Sequence, residues 1–104
     1  MSAMIEHWDT QSDGELTETN MRAKLEARGY HVHRCVYPPG SYFPEHDHDE
    51  NKMDGVLSGQ FKLTMHGQSF ILTAGDCLTV PRGALHSAEV LGSDPVISLD
   101  AVKD

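Results

Sequence analysis

The chain has 104 residues, with 8 Lys and Arg against 16 Asp and Glu, which gives a formal net charge of −8. This length fits one domain, and the acidic balance argues against a nucleic-acid partner because phosphate backbones would be repelled. No apolar run exceeds three residues, so we expect neither a membrane partner nor a signal peptide.

The first part of the chain divides into two predicted segments. Residues 1–15 are polar and lack both the helical and the strand period, which predicts a flexible N-terminal tail. A short helix is expected over 16–29, with Thr17 as its N-cap, Met21 and Leu25 on one face, and Gly29 as the residue that ends it. Residues 30–104 then form the remaining domain.

From residue 30 onward, short β-branched and aromatic stretches alternate with turn signals. In the stretch 60–66, Phe61, Leu63 and Met65 alternate with polar residues, which is typical of a half-buried strand. The predicted strands cover 30–37, 42–48, 52–58, 60–66, 69–73, 77–80, 85–91 and 96–102. Many short strands behind one helix indicate an all-β fold, an antiparallel sandwich or barrel of the jelly-roll kind.

Seven histidines outnumber every aromatic residue type, and four of them form two His-x-His pairs. Residues i and i+2 of a strand point to the same face, so each pair could offer two neighbouring imidazoles to a metal ion. The spacing alone recurs by chance in a His-rich chain. We therefore expect His31 and His33 to be solvated or to lie at the edge of the core, and we interpret His46 and His48 from their surroundings.

The surroundings of the second pair resemble the cupin superfamily, whose motifs are G-x5-H-x-H-x3-E-x6-G and G-x5-P-x-G-x2-H-x3-N. The matching positions are Gly40, His46, His48, Gly59, Gly75, Pro81, Gly83 and His86. The resemblance covers residues 30–102 and implies a single-domain, RmlC-like cupin β-barrel, a double-stranded β-helix, with the helix outside. It also implies a homodimer, and the expected interface residues are Leu57, Met53, Met21 and Leu25.

Three imidazoles, those of His46, His48 and His86, would then converge on one divalent transition metal ion, with Fe, Mn, Zn and Ni all suited to such ligands. Two motif positions differ, since Lys52 replaces the glutamate and Val90 replaces the asparagine. Three alternatives follow. In the first, the centre uses three histidines only, and Lys52 is turned away or paired with Asp54, which should share its strand face. In the second, Asp54 or Glu50 adds a carboxylate ligand. In the third, the site is metal-free and Lys52 and Asp54 bind an organic ligand.

The sequence leaves two classes of function open. One is a metalloenzyme with dioxygenase-like or isomerase or lyase chemistry on a small anionic or oxygen-rich substrate, with Lys52, Asp54 and Tyr42 as candidate catalytic residues. The other is a non-catalytic module that binds or senses a ligand or a metal. No organic cofactor is predicted.

Two cysteines, Cys35 and Cys77, are too few for a disulfide scaffold, so a cytoplasmic protein is the expectation. Cys77 is interpreted as a small apolar core residue.

Overall fold

The computed structural model describes residues 5–104 and contains two helices and nine strands within that range. The helices are α1 (Thr10–Asp13) and α2 (Glu18–Ala27). The strands are β1 (Ile5–Glu6), β2 (His31–Tyr37), β3 (Tyr42–His46), β4 (Asn51–Ser58), β5 (Gln60–Met65), β6 (Gln68–Leu72), β7 (Cys77–Val80), β8 (His86–Leu91) and β9 (Val96–Lys103). All eight predicted strands are present, with bounds that differ from the predicted ones by at most two residues.

The strands form two antiparallel sheets, one of five strands in the order β1-β7-β4-β9-β2 and one of four in the order β3-β8-β5-β6. Strand alternation explains how the sheets pack. Phe61, Leu63 and Met65 of β5 are buried, and they join a cluster that also contains Val56 and Leu78 from the five-stranded sheet. This cluster fills the space between the sheets, as expected for a jelly roll.

Helix α2 packs on the other face of the five-stranded sheet. Thr17 caps it by accepting a hydrogen bond from the backbone N–H of Asn20 at 3.0 Å, as its sequence predicts. Met21 and Leu25 are fully buried against a second cluster that includes Met53. The suggested use of these three residues at a dimer interface is therefore wrong, because their apolar surface is already covered within the chain. No helix in residues 5–104 is long and apolar enough to cross a membrane.

Residues 5–15 differ from the predicted tail, of which residues 1–4 lie outside the described part. Strand β1 pairs with β7, and helix α1 follows. Charged contacts hold the segment against α2. Arg28 donates two hydrogen bonds to Glu6, at 2.7 and 3.0 Å, and Lys24 donates one to Asp13 at 2.7 Å. These long-range contacts leave no periodic pattern in the sequence, which explains why a tail was expected there.

Candidate metal centre and its cavity

The two histidine segments meet at one end of the sandwich. His46 ends β3 and His86 begins β8, and the two residues are direct cross-strand partners in the register of these strands. The loops are also tied together, because the backbone N–H of Gly83 donates to the carbonyl of His48 at 2.9 Å. Arg82 adds a second link, with its N–H donating to the Asn51 side-chain oxygen at 2.9 Å. These contacts explain why residues so distant in sequence converge.

The three histidines form a compact group. The metal-binding atoms of His46, His48 and His86 all lie within 4.8 Å of one another. The ring centroids of His46 and His86 are 4.4 Å apart, and those of His48 and His86 are 5.2 Å apart. Two nitrogens that bind one ion at roughly 2.1 Å can be at most about 4.2 Å apart. Small side-chain rotations would therefore bring the three nitrogens to the distances that a shared ion needs.

Two of the imidazoles are held in a tautomer suited to metal binding. Nδ1 of His46 lies 2.7 Å from the Pro44 carbonyl, and Nδ1 of His86 lies 2.9 Å from the Ala84 carbonyl. A carbonyl oxygen only accepts hydrogen bonds, so each Nδ1 carries the hydrogen. The Nε2 lone pairs are consequently free for a metal ion, as is usual when the other ring nitrogen is fixed by a second contact.

The local electrostatics favour neutral imidazoles. Burial lowers the pKa of His48, and the positive charge of Lys52 lowers it further. Burial also lowers the pKa of His86, where the hydrogen bond to Ala84 opposes the shift. Neutral imidazole is the form that binds metals, so both shifts make the rings available as ligands at lower pH than usual.

A cavity of about 200 Å³ opens between the sheets beside the three histidines. It is lined by Tyr37, Phe43, His46, His48, Lys52, Asp54, Phe61, Leu63, His86 and Ala88. Its aromatic wall is ordered, since the ring of Tyr37 stacks on Phe61 at 5.4 Å and meets Phe43 edge-on at 5.0 Å. The cavity is small for a ligand pocket, which suits a small ligand with an apolar part and a polar part.

The partner of Lys52 is a residue that sequence reasoning missed. Lys52 Nζ lies 2.8 Å from Oδ1 of Asp100 in β9, which makes an ion pair by distance, although the angle does not satisfy a hydrogen bond. Asp100 is directly opposite Asp54 in the β4–β9 register. The signal in the sequence was Asp100 itself, the single charged residue within the otherwise largely apolar stretch 96–102.

Asp54 carries the most perturbed carboxyl group of the cavity. Burial and, to a lesser extent, the negative charge of Asp100 raise its pKa to about 7, against the opposing charge of Lys52. Like charges directly across a strand pair are unfavourable, so a proton on Asp54 relieves the repulsion between the two carboxyls.

We expect the substitution Asp54→Asn to stabilise the protein at high pH only. The folded chain keeps the Asp54 proton up to about pH 7, whereas an unfolded aspartate loses it near about pH 4. The contribution of this proton to the free energy of unfolding is therefore fully present below about pH 4, and it is lost as the pH rises from there through 7. Urea unfolding should show Asp54→Asn more stable than the wild type by about 1–2 kcal/mol at about pH 8, and little different at about pH 4.

The exposed aspartate Asp94 provides the matched control for this measurement. Its substitution Asp94→Asn should leave the difference from the wild type nearly constant with pH. An Asp54→Asn variant that is equally destabilised at both pH values would contradict the raised pKa.

Two of the sequence-predicted side chains are not where they were expected. Tyr42 is 62% exposed and does not line the cavity. Adjacent strand residues point to opposite faces, and Phe43 points inward, so Tyr42 points outward; Tyr37 is the tyrosine of the cavity. Glu50 does not line it either, and neither Glu50 nor Asp54 belongs to the group of three histidines.

The remaining predicted side chains behave as the sequence suggested. His31 and His33 are both exposed on β2. Cys35 and Cys77 are free thiols, and Cys77 is buried as a core residue. Burial raises the pKa of the Cys77 thiol to about 11, so it is protonated at neutral pH.

Comparison with known families gives one match. The profile of the family described as "Cupin domain" matches residues 33–102, about two thirds of the chain. A comparison with curated proteins gives no match.

Similar solved structures have the same fold. A Cupin 2 conserved barrel domain protein from Salinispora arenicola is 24% identical with a TM-score of 0.65, and the match covers 72% of this chain and 63% of that one. An RmlC-like cupin from Shewanella frigidimarina is 25% identical with a TM-score of 0.63, covering 70% and 64%. The DMSP lyase DddQ from Ruegeria pomeroyi is 24% identical with a TM-score of 0.64, covering 70% and 37%. In each case the match spans less than two thirds of the solved chain.

Proposed function

Because the chain belongs to the Cupin domain family, we propose that it is a metal-dependent cupin whose His46, His48 and His86 bind one divalent transition metal ion. The observation that carries the proposal is the convergence of the three imidazoles, with their ligand atoms within 4.8 Å of one another, beside a cavity. The fixed tautomers of His46 and His86 fit this role, since both leave Nε2 free. The ion, when bound, would polarise an oxygen atom of the substrate.

The substrate that we propose is a small anionic or oxygen-rich molecule. Three neutral imidazoles leave the full charge of the ion in place, whereas the charge of Lys52 at the cavity wall is offset by Asp100. The aromatic rings of Tyr37 and Phe61 would contact an apolar part of the same molecule. Iron, manganese, zinc and nickel all accept such ligands, and the reaction class would be that of a dioxygenase or of an isomerase or lyase.

Elemental analysis of protein purified without tags or chelators tests the metal site. We expect close to one equivalent of a single transition metal in the wild type. Residues that only hydrogen-bond to a metal-binding side chain already contribute about 10–100-fold to metal affinity, so removing one of the metal-binding histidines should cost more than that. His48→Ala and His86→Gln should therefore lose the metal, and His86→Gln keeps most of the buried volume.

The second His-x-His pair is the matched control, because His31 and His33 have the same spacing but are exposed on β2. The double variant His31→Ala/His33→Ala should keep its metal. Wild-type protein that stays metal-free after anaerobic reconstitution with Fe(II), Mn(II), Ni(II) and Zn(II) would contradict the proposal.

The alternative is a non-catalytic module that binds or senses a metal or a small ligand. The Lys52–Asp100 ion pair and Asp54 favour it in its metal-free form, because these groups offer a polar ligand site without any ion. In that case the His86→Gln variant would keep the affinity of the wild type for the ligand.

We also propose that the protein is a cytoplasmic homodimer. Strand β2 is at the edge of the five-stranded sheet and its Val36 is 50% exposed, and such edges readily pair with a second copy. The two free thiols suit a reducing compartment. Sedimentation velocity at micromolar concentration should give about twice the chain mass of 11.5 kDa, and a monomer would contradict the dimer.

A further inference from the structure

In the five-stranded sheet, Asp54 lies directly opposite Asp100 in the strand register, and the amine of Lys52 is paired with Asp100. We propose that Asp54 is the proton-transfer residue of the cavity, and that Asp100 and Lys52 are positioning residues that let it both take up and give back a proton. This inference rests on the proposed function for the identity of the site, and it assigns the class of reaction.

The geometry separates the roles of the two carboxyls. Asp54 lines the cavity, whereas Asp100 is its partner in the neighbouring strand and does not line it. Oδ1 of Asp100 is buried and lacks a hydrogen-bond partner among the described residues, although Lys52 Nζ is 2.8 Å away. A protonated Asp54 therefore offers a hydrogen-bond donor to Oδ1 of Asp100, an oxygen that lacks one. Only Asp54 can exchange that proton with a bound molecule.

The charges point to the same assignment. Lys52 and Asp100 neutralise each other as an ion pair, so a protonated Asp54 leaves the group uncharged, and an ionised one leaves a single negative charge. The other titratable groups that line the cavity come from strands β2, β3 and β8 and the loop after β3: Tyr37, His46, His86 and His48. From β7, the residue opposite Asp54 is the apolar Leu78. Asp54 is therefore the acidic group among the side chains that line the cavity with the imidazoles.

The raised pKa of Asp54, about 7, matches this use because both its forms are populated near neutral pH. In the reaction we infer, a C–H bond next to a carbonyl or carboxyl group of the substrate breaks, and its proton goes to a carboxylate oxygen of Asp54. The electron pair stays on the substrate as an enolate. Asp54 then returns the proton to another atom of the substrate or to a leaving group. No oxidant is consumed, so the step belongs to an isomerase or a lyase rather than to an oxygenase.

Proton uptake on anion binding tests the assignment without a known substrate. Oxalate is the probe, a dianion that resembles an enolate, and it is titrated calorimetrically into zinc-loaded protein at about pH 8 in two buffers of different ionisation enthalpy. An anion beside Asp54 favours its protonated form, so the wild type should take up close to one proton per oxalate. Asp54→Asn should bind oxalate with at least about threefold less proton uptake, and Asp94→Asn should match the wild type.

Infrared titration of the carboxyl band in the metal-free protein gives a second readout. The band that Asp54→Asn removes should titrate near neutral pH in the wild type. Asp100→Asn should lower that midpoint because a negative charge is lost, and Lys52→Met should raise it because a positive charge is lost.

The outcomes separate this inference from the metal site. Equal proton uptake by the wild type and Asp54→Asn, with one zinc bound to each, overturns the role of Asp54 and leaves the metal centre intact. Failure to bind zinc, or to bind oxalate once zinc is loaded, overturns the proposed function instead. In that case the infrared titration still decides on Asp54, and an Asp54 already ionised at about pH 5 would overturn its role.

Discussion

Acidification from about pH 7.5 to about pH 5 should strip a bound Zn²⁺ ion from the protein, and the loss should be steep. Each ligand imidazole must be neutral, so below the pKa values of all three rings the apparent affinity falls by up to about 1000-fold per pH unit. The lowered pKa values of His48 and His86 delay the loss to pH values below the usual histidine range near about 6.5. Competition with a chromophoric chelator over this pH range measures the affinity directly.

Two controls separate metal release from unfolding. Far-UV circular dichroism of the metal-free protein should be unchanged over the same range, and His31→Ala/His33→Ala should follow the wild-type profile. A protein that retains its zinc undiminished at about pH 4 would contradict a site made of histidines.

The substitution Gly59→Ala should destabilise the protein severely, by about 3–5 kcal/mol. Gly59 joins β4 to β5 with a φ of +89°, and a Cβ there would lie 2.5 Å from the Pro95 carbonyl oxygen and 3.0 Å from the Val96 Cα. Both neighbours are backbone atoms, of Val96 at the start of β9 and of the residue before it, so they cannot rotate away. Urea unfolding measures the loss against a total stability of about 5–15 kcal/mol for a domain.

Gly40 supplies the matched control, because its φ is +79° but a Cβ there would meet no atom within 4 Å. Gly40→Ala should cost only the left-handed backbone term, about 1–2 kcal/mol. Failure of Gly59→Ala to fold while Gly40→Ala folds would be the strongest form of the expected result. Equal losses in the two variants would show that the contact with β9 has no energetic role.

The position of Asp54 illustrates what sequence reasoning could reach. Its place on the same face as Lys52 followed from the strand period, and both residues line the cavity. The predicted partnership was incomplete, because the ion pair forms with Asp100. Cross-strand partners depend on the register between distant segments, which one sequence does not contain.

The sequence by itself determined the eight strands and the capped helix α2, because these depend on local periodicity, and its resemblance to the cupin motifs indicated the three converging histidines. Only the tertiary structure decided that Tyr37 and not Tyr42 lines the cavity, that Asp100 faces Asp54, and that residues 5–15 pack on the sheet. Asp100 and residues 5–15 are placed by contacts between segments that are distant in the sequence, and the choice of tyrosine depends on how the sheets pack. Alternation along a strand says that neighbours face opposite ways, but packing of the sheets selects which face is buried.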